Sequence, residues 1–401
     1  MYTCNLCGKD TVESLIDFGY HPIAHHFLED PNQLEYKHNV NLGFCKKCGL
    51  SQLINPISPD KFYTDYNWLS SWKWNPHVPY LLHEISEHIN LSLDSFVLEI
   101  GSNDGSFLKI LKEKGYKNQL GLEPALDAVC AAEKLGVETI NSYFTPNEAK
   151  KIVQNRGKSD LFICRQVIEH VANLSEFSEA MRIVLKPGSY VIIEVPDFGF
   201  NQVAPDYSAI WEEHVNHFTK NTLINFLNKI GIEVEKIKTE LFSGQIIIAI
   251  GRYSGMPNIN SCLSIEDEVK NADSYKNKWP KFKSKFHEYL NELKANGQKV
   301  AIYGAGCRAN CLINYSEISQ YIDLVVDDQK EKQDKFLPGS KLPIQNSEKL
   351  IEEAINVCLL AVNAENESKV IANNNDFSKK GGNFVSLHPP SSILPEFWNN
   401  L

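Results

Sequence analysis

Between Ser95 and Tyr253 short apolar runs alternate with amphipathic stretches, and this rhythm narrows the fold more than any other feature of the chain. The runs are Phe96–Ile100, Asn118–Leu122, Leu161–Val167, Tyr190–Val195 and Gln245–Ile250. Alternation of this kind predicts a parallel sheet covered by helices. The rhythm returns at Lys299–Tyr303, Leu324–Val326 and Val357–Val362, which read as a second, smaller α/β unit. Between the two, Ile265 to Ala295 is charged throughout, with Phe282, Phe286, Tyr289 and Leu293 spaced by three or four. That spacing predicts an amphipathic helix, broken or started near Pro280 and serving as a solvated connector. Residues 1–90 are polar and carry paired cysteines. The expected organisation is therefore a module over 1–90, a central α/β domain over 91–255, a helical connector over 256–295 and a second Rossmann-like unit over 296–401.

Composition removes several classes. With 43% hydrophobic and 22% charged residues, disorder is not the main state. No run of eighteen apolar residues marks a membrane span. The first residues lack the basic start and apolar stretch of a secretory signal, so the cytoplasm is the expected location. A net charge of −10 argues against nucleic acid as a partner. It leaves room for a small anionic ligand, because a helix N-terminus or a few local cations can hold one. Nothing calls for an oligomer, and a monomer is the favoured state.

Of ten cysteines, Cys4, Cys7, Cys45 and Cys48 form two C-x-x-C pairs, each followed by a glycine. Each pair can form a knuckle that points two thiolates at one ion, with Gly8 and Gly49 where the turn needs a backbone without a Cβ. Two knuckles supply four sulfurs in a tetrahedron, the closed geometry of structural zinc. With no open coordination position the metal is expected to be structural and not catalytic. The other six cysteines are scattered, and without an export signal disulfides are not expected. Residues 1–90 hold 6 Lys against 10 Asp and Glu, which speaks against a nucleic-acid-binding knuckle.

The stretch Phe96-Val-Leu-Glu-Ile-Gly-Ser-Asn-Asp-Gly-Ser places a strand up to Ile100, a loop over Gly101–Gly105 and a helix from about Ser106. Glycines let a ligand approach the backbone closely. The E-x-G-x-x-x-G spacing of Glu99, Gly101 and Gly105 lacks the G-x-G-x-x-G of dinucleotide binders. It fits the loop of S-adenosylmethionine-dependent methyltransferases, with Ser102 and Asn103 inside it. About twenty residues on, Glu123 stands where a second strand should end, with Pro124 beside it, and an acid there can accept both ribose hydroxyls. Asp160 to His170 reads as the fourth strand and its turn, with Gln166 in the turn. Leu185-Lys-Pro-Gly188 and Tyr190–Val195 read as the next turn and the fifth strand.

Taken together, the four-cysteine module, this central domain and Ala301-Ile-Tyr-Gly-Ala-Gly-Cys-Arg-Ala-Asn-Cys resemble the bacterial C-methyltransferases that act on nucleotide-linked deoxysugars. Asp327, Gln333, Leu337-Pro-Gly339 and Leu342-Pro-Ile344 also match that family's pattern. The resemblance covers nearly the whole chain. It implies a class I methyltransferase sheet with an N-terminal zinc module and a C-terminal Rossmann-like domain, using S-adenosylmethionine and structural zinc. It further implies methylation of a sugar carbon beside a ketone, by way of an enolate. Trp211-Glu-Glu-His-Val-Asn-His-Phe218 matches the segment that supplies the base. His214 is the candidate base, Glu213 the residue that fixes its orientation, and His170 the candidate donor to the enolate oxygen. The family's Tyr falls on Trp211. Tyr66 lies in a segment similar to the family's Tyr-rich one and is a further candidate. His217 reads as structural. Trp68, Trp72, Trp74 and His77 fit either a packed cluster or a substrate cleft. Tyr303–Gly306 fits a degenerate dinucleotide loop or, preferably, a contact to the sugar nucleotide.

Two other functions stay open at the sequence. An O- or N-methyltransferase on a similar sugar would need no α-proton abstraction, and methyl found on oxygen or nitrogen would identify it. A non-catalytic zinc-ribbon binding protein would have no need to keep Glu99, Gly101, Gly105 and Glu123.

Overall fold

The computed structural model describes residues 1–58, 61, 77–258 and 264–401. The described part of the N-terminal module does more than supply four sulfurs. Strands β1 (Tyr2–Thr3), β2 (Asp10–Pro22), β3 (Lys37–Cys45) and β4 (Ser51–Leu53) form an antiparallel sheet. Its signal was a period of two in β3, where His38, Val40, Leu42 and Phe44 face inward. The long β2–β3 hairpin is the loop that the knuckles close, with Val12 opposite Cys45.

In each knuckle the glycine amide returns to the first cysteine's carbonyl, Gly8 to Cys4 and Gly49 to Cys45, both at 2.9 Å. The four sulfurs lie within 4.8 Å of one another. Cys4 Sγ is 3.5 Å from Cys48 Sγ, and Cys7 Sγ is 3.7 Å from Cys45 Sγ. Four thiolates about 2.3 Å from a central zinc would stand about 3.8 Å apart, so the residues fit the ion.

Helix α1 (Val78–Glu87) leads into the central sheet. Strand β5 (Val97–Ile100), α2 (Ser106–Glu113), β6 (Gln119–Glu123), α3 (Leu126–Lys134), β7 (Thr139–Asn141), α4 (Pro146–Arg156), β8 (Ser159–Arg165), α5 (Leu174–Val184) and β9 (Leu185–Pro196) follow in alternation. After β9 come α6 (Phe198–Val203) and β10 (Asn216–His217). Strand β10 leaves this domain and pairs with β4, Asn216 opposite Gln52. Helix α7 (Lys220–Ile230), β11 (Ile232–Leu241) and β12 (Gln245–Tyr253) complete the domain. The sheet order is β11-β12-β9-β8-β5-β6-β7. Five strands are parallel as expected, whereas β12 runs antiparallel to β9. The reason is that β11 and β12 form a hairpin, which leaves no crossover to restore a parallel direction.

Helix α8 (Glu266–Ala295) passes through Pro280 without a break, contrary to the expectation from sequence. It is also not a solvated connector. Tyr275, Phe282, Phe286 and Leu290 are fully buried, and Phe282 packs on Tyr207, Phe286, Phe397 and Trp398. A proline inside a helix costs about 3 kcal/mol. Four buried side chains at about 1.5–3 kcal/mol each outweigh it. The last unit is a parallel sheet of order β15-β14-β13-β16-β17. It contains β13 (Val300–Tyr303), α9 (Cys307–Ser316), β14 (Leu324–Val326), β15 (Ile344–Gln345), α10 (Lys349–Glu352), β16 (Val357–Leu360), α11 (Ala364–Asn373), α12 (Asn375–Lys379) and β17 (Asn383–Ser386). One core cluster joins Leu42 and Phe44 of the first sheet, Phe282 of α8 and Ile302 of β13. Among the described residues no helix is long and apolar enough to cross a membrane.

Metal analysis of purified protein should find about one zinc per chain, with metal–sulfur distances of about 2.3 Å by X-ray absorption. Cys45→Ser should lower the melting temperature, and a metal-free protein that melts normally would contradict the staple. Phe282→Ala should lose about 3–5 kcal/mol in denaturant unfolding.

Candidate active site

A cavity of 1750 Å³ opens where the C-terminal ends of β5, β6, β8 and β9 meet α9 and the loops of the last unit. Its floor is the loop after β5. Gly101 has φ +67, and a Cβ there would collide with Val167 Cγ2, so only glycine serves. Its amide donates to Leu122 O at 2.8 Å. Glu123, at the end of β6, accepts the Asn103 amide at 3.1 Å on Oε2 and the Ala125 amide at 2.9 Å on Oε1. Burial raises its carboxyl, against the pull of those two amides. The acid therefore bolts the glycine loop to β6 and still has lone pairs for a ligand.

Gly101, Ser102, Asn103, Glu123, Pro124 and Gln166 all line the cavity. Gly105 caps α2 behind it. Glu99 is also behind the wall: its Oε1 receives Arg165 Nε and Nη2, both at 3.0 Å. Burial lifts the Glu99 carboxyl to about 7, with Arg165 working against the shift. Gln166 donates through Nε2 to Glu194 at 3.2 Å, and the other Glu194 oxygen lies 2.8 Å from His77 Nε2. His77 is buried against Phe242 and braces this wall from behind.

The second group of candidates also converges. His170, Trp211, Glu213, His214 and His217 line the same cavity. The short 3₁₀ turn Ile168–His170 is held by the Asn216 amide, which donates to Ile168 O at 3.1 Å and Val171 O at 2.7 Å. His214 lies under the Trp211 ring, centroids 3.7 Å apart, with the edge of His170 at 4.8 Å. Burial pushes its pKa well below the ordinary value, and His170, His217 and Arg308 add to the shift. His217 is pushed down to about 3 by burial.

Two expected roles change. Glu213 does not orient His214: its Oε1 is 3.0 Å from His25 Nδ1, in the N-terminal module. Its backbone carbonyl instead accepts from His170 Nδ1 at 2.9 Å. A carbonyl can only accept, so the neutral His170 ring carries its proton on Nδ1 and a lone pair on Nε2. In that tautomer Nε2 accepts and does not donate. Tyr66, Trp68, Trp72 and Trp74 lie outside the described residues.

For other residues the sequence carries no sign of what they would face. Arg308, in the first turn of α9, reaches Asp206 Oδ2 at 2.6 Å and Ser208 Oγ at 3.1 Å, fixing the last unit to the central domain. Lys332 and Asp327, paired at 3.2 Å, line the opposite wall with Asn363. The glycine turn before α9 marked the loop, but only the packing of two domains shows where Arg308 goes. Glu169 also lines the cavity. It was hidden by standing next to the more conspicuous His170.

Three family models match in succession: a zinc binding domain over residues 4–63, a methyltransferase domain over 76–237 and a C-methyltransferase C-terminal domain over 255–389. The chain is 26% identical over 407 residues to the C-methyltransferase NovU of Streptomyces niveus, covering 98% of this chain and 96% of that protein. It is 25% identical over 225 residues to a ubiquinone biosynthesis O-methyltransferase of Rickettsia bellii, covering 52% of this chain and 83% of that one. A crystal structure of an S-adenosylmethionine-dependent methyltransferase from Clostridium acetobutylicum matches with a TM-score of 0.37 at 15% identity, over 49% of this chain and 98% of that one.

Calorimetry with S-adenosylmethionine checks the glycine loop. Gly101→Val should abolish binding, because the side chain cannot be housed. Glu123→Ala should weaken it about ten- to hundredfold, the loss of a charged hydrogen-bond partner. Unchanged affinity in both variants would place the cofactor elsewhere.

Proposed function

We propose that this S-adenosylmethionine-dependent methyltransferase, built of zinc-binding, methyltransferase and C-methyltransferase C-terminal parts, methylates a ring carbon beside the ketone of a nucleotide-linked keto-deoxysugar. The observation that carries this reading is His214, a buried imidazole held uncharged in the cavity that the Gly101–Gly105 loop and Glu123 also line. S-adenosylmethionine supplies an electrophilic methyl group on a sulfonium when bound. Gly101, Ser102, Asn103, Gln166 and Pro124 are the residues that would surround it, with Glu123 at the ribose hydroxyls.

A carbon beside a ketone becomes a nucleophile only when its proton is removed. His214 is placed to take that proton, since a base has to enter the reaction neutral. Burial, His170, His217 and Arg308 all oppose a charge on it. They keep it neutral at pH 7 and also make it a weaker base than free imidazole. Stabilisation of the enolate oxygen therefore has to share the work. On the facing wall the N-terminal end of α9 is the element that would meet the diphosphate of a sugar nucleotide, with Arg308 and Lys332, each paired with an aspartate, as further donors. Similarity to a C-methyltransferase over the whole length supports carbon as the acceptor.

A panel of nucleoside-diphosphate keto-deoxysugars with labelled methyl donor tests the reading, and methyl recovered on oxygen or nitrogen would overturn it. His214→Ala should lower kcat about 10²–10⁴-fold while cofactor affinity holds. The pH profile has a definite sign. The base works unprotonated and its pKa lies well below the ordinary histidine value of about 6.5. Its contribution to activity should therefore hold from pH 8 down through 6.5, fall only at lower pH, and vanish in His214→Ala.

A further inference from the structure

An enolate oxygen needs a donor, and His170 in its resting tautomer offers only a lone pair at Nε2. The neighbour on the cavity wall is Glu169. Its side chain is 2% exposed, with Oε1 4.0 Å from His170 Nε2. Neither carboxyl oxygen has a hydrogen-bond partner in another residue, and only the backbone of Glu169 itself approaches the carboxyl. The charged and titratable groups around it are His170 and His214 on the cavity side, and Glu194 and Cys164 from the adjoining strands. None of these is a cation at neutral pH. A bare carboxylate in such a place would cost several kcal/mol, so the group takes a proton instead. Burial indeed pushes its carboxyl well above the ordinary range against the pull of its own backbone amide, and Glu194 adds to the push.

The geometry points to Glu169 as a further catalytic residue: a neutral carboxylic acid that donates its O–H to the ketone oxygen of the acceptor and keeps that hydrogen bond as the oxygen becomes an enolate. This rests on the enolate reading above. In the first step His214 takes the α-proton. The C–H electron pair becomes the C=C bond, and the carbonyl π pair moves to oxygen. The Glu169 proton stays between the two oxygens. In the second step the carbon takes the methyl group, and the electron pair of the methyl–sulfur bond stays with sulfur. The carbonyl re-forms, the O–H remains on Glu169, and His214 loses its proton to solvent. Donation from a carboxylic acid to a developing oxyanion is short and strong, and neutral carboxylic acids in apolar sites serve this purpose in other enolising enzymes.

The test uses full-length, zinc-loaded protein with a nucleoside-diphosphate 4-keto-6-deoxyhexose that the wild type accepts. Two rates are read, methyl transfer and exchange of the sugar's α-proton with deuterated solvent in the presence of S-adenosylhomocysteine. Glu169→Ala should lower both about 10²–10³-fold, with kcat and kcat/KM falling together and S-adenosylhomocysteine affinity unchanged. Glu169→Gln keeps an N–H donor and should recover to within about tenfold of wild type. The infrared difference spectrum between wild type and Glu169→Gln should show the carbonyl band of a protonated carboxyl at pH 7. Exchange at the wild-type rate in Glu169→Ala, or a carboxylate band, would overturn the assignment of Glu169 alone. The same holds for a divalent-cation requirement lost equally in Glu169→Ala and Glu169→Gln, since Glu169, His170 and His214 offer ligand atoms within 4.8 Å. A wild-type protein that methylates without exchanging the α-proton would remove the enolate, and both assignments with it.

Discussion

Glu213 is the point on which the rest of the site depends. Its carboxylate meets His25 of the N-terminal module at 3.0 Å, and its carbonyl holds His170 of the central domain at 2.9 Å. Cys307, the first residue of α9, completes a cluster with His25 and Glu213 inside 4.8 Å. Three parts of the fold thus meet at one residue on the cavity wall. Next to it Glu212 accepts the Ala24 amide at 2.7 Å, and Asn310 donates to Ala24 O at 3.1 Å. The segment from 211 to 214 is therefore fixed from two sides before any ligand arrives.

Such an arrangement concentrates buried ionisable groups. Glu99, Glu169, Glu194, Glu212, Glu213, His25, His214 and His217 are all buried. Each would be costly alone, and half are in these pairs: Glu99 with Arg165, Glu194 with His77, Glu213 with His25. Pairing keeps these side chains in one rotamer, which is what positioning of two reactants requires. Of the others, Glu212 accepts the Ala24 amide, whereas Glu169, His214 and His217 line the cavity. Burial there shifts His214 down and Glu169 up, and each shift favours the uncharged form. A neutral base and a neutral acid on one wall are the pair that enolisation needs.

The local parts of the fold were legible because each rests on a short-range rule. The apolar runs became strands β5, β6, β8, β9 and β12, and Gly101–Gly105 became the loop between β5 and α2. The knuckles followed from cysteine spacing. What the pattern missed has physical causes. The antiparallel sheet beside the four cysteines leaves little mark on the composition because half of its residues are polar, although β3 alternates clearly. Propensity penalises Pro280 and predicts a break there, and the burial of Phe282 and Phe286 overrides that penalty.

By itself the sequence determined which chemical groups are present and which neighbours along the chain they have: four thiolates at knuckle spacing, a glycine loop before a helix, Glu123 at a strand end, and two histidines in turns after strands. Tertiary structure decided what those groups face. Glu213 turns from its neighbour His214 to His25, 188 residues away in the chain. Arg308 leaves its own domain for Asp206. His170 gains its tautomer from a carbonyl contributed by another segment. Protonation, tautomer and ion pairing depend on solvent exclusion and on partners distant in sequence, and neither is set until the three units have packed around one cavity.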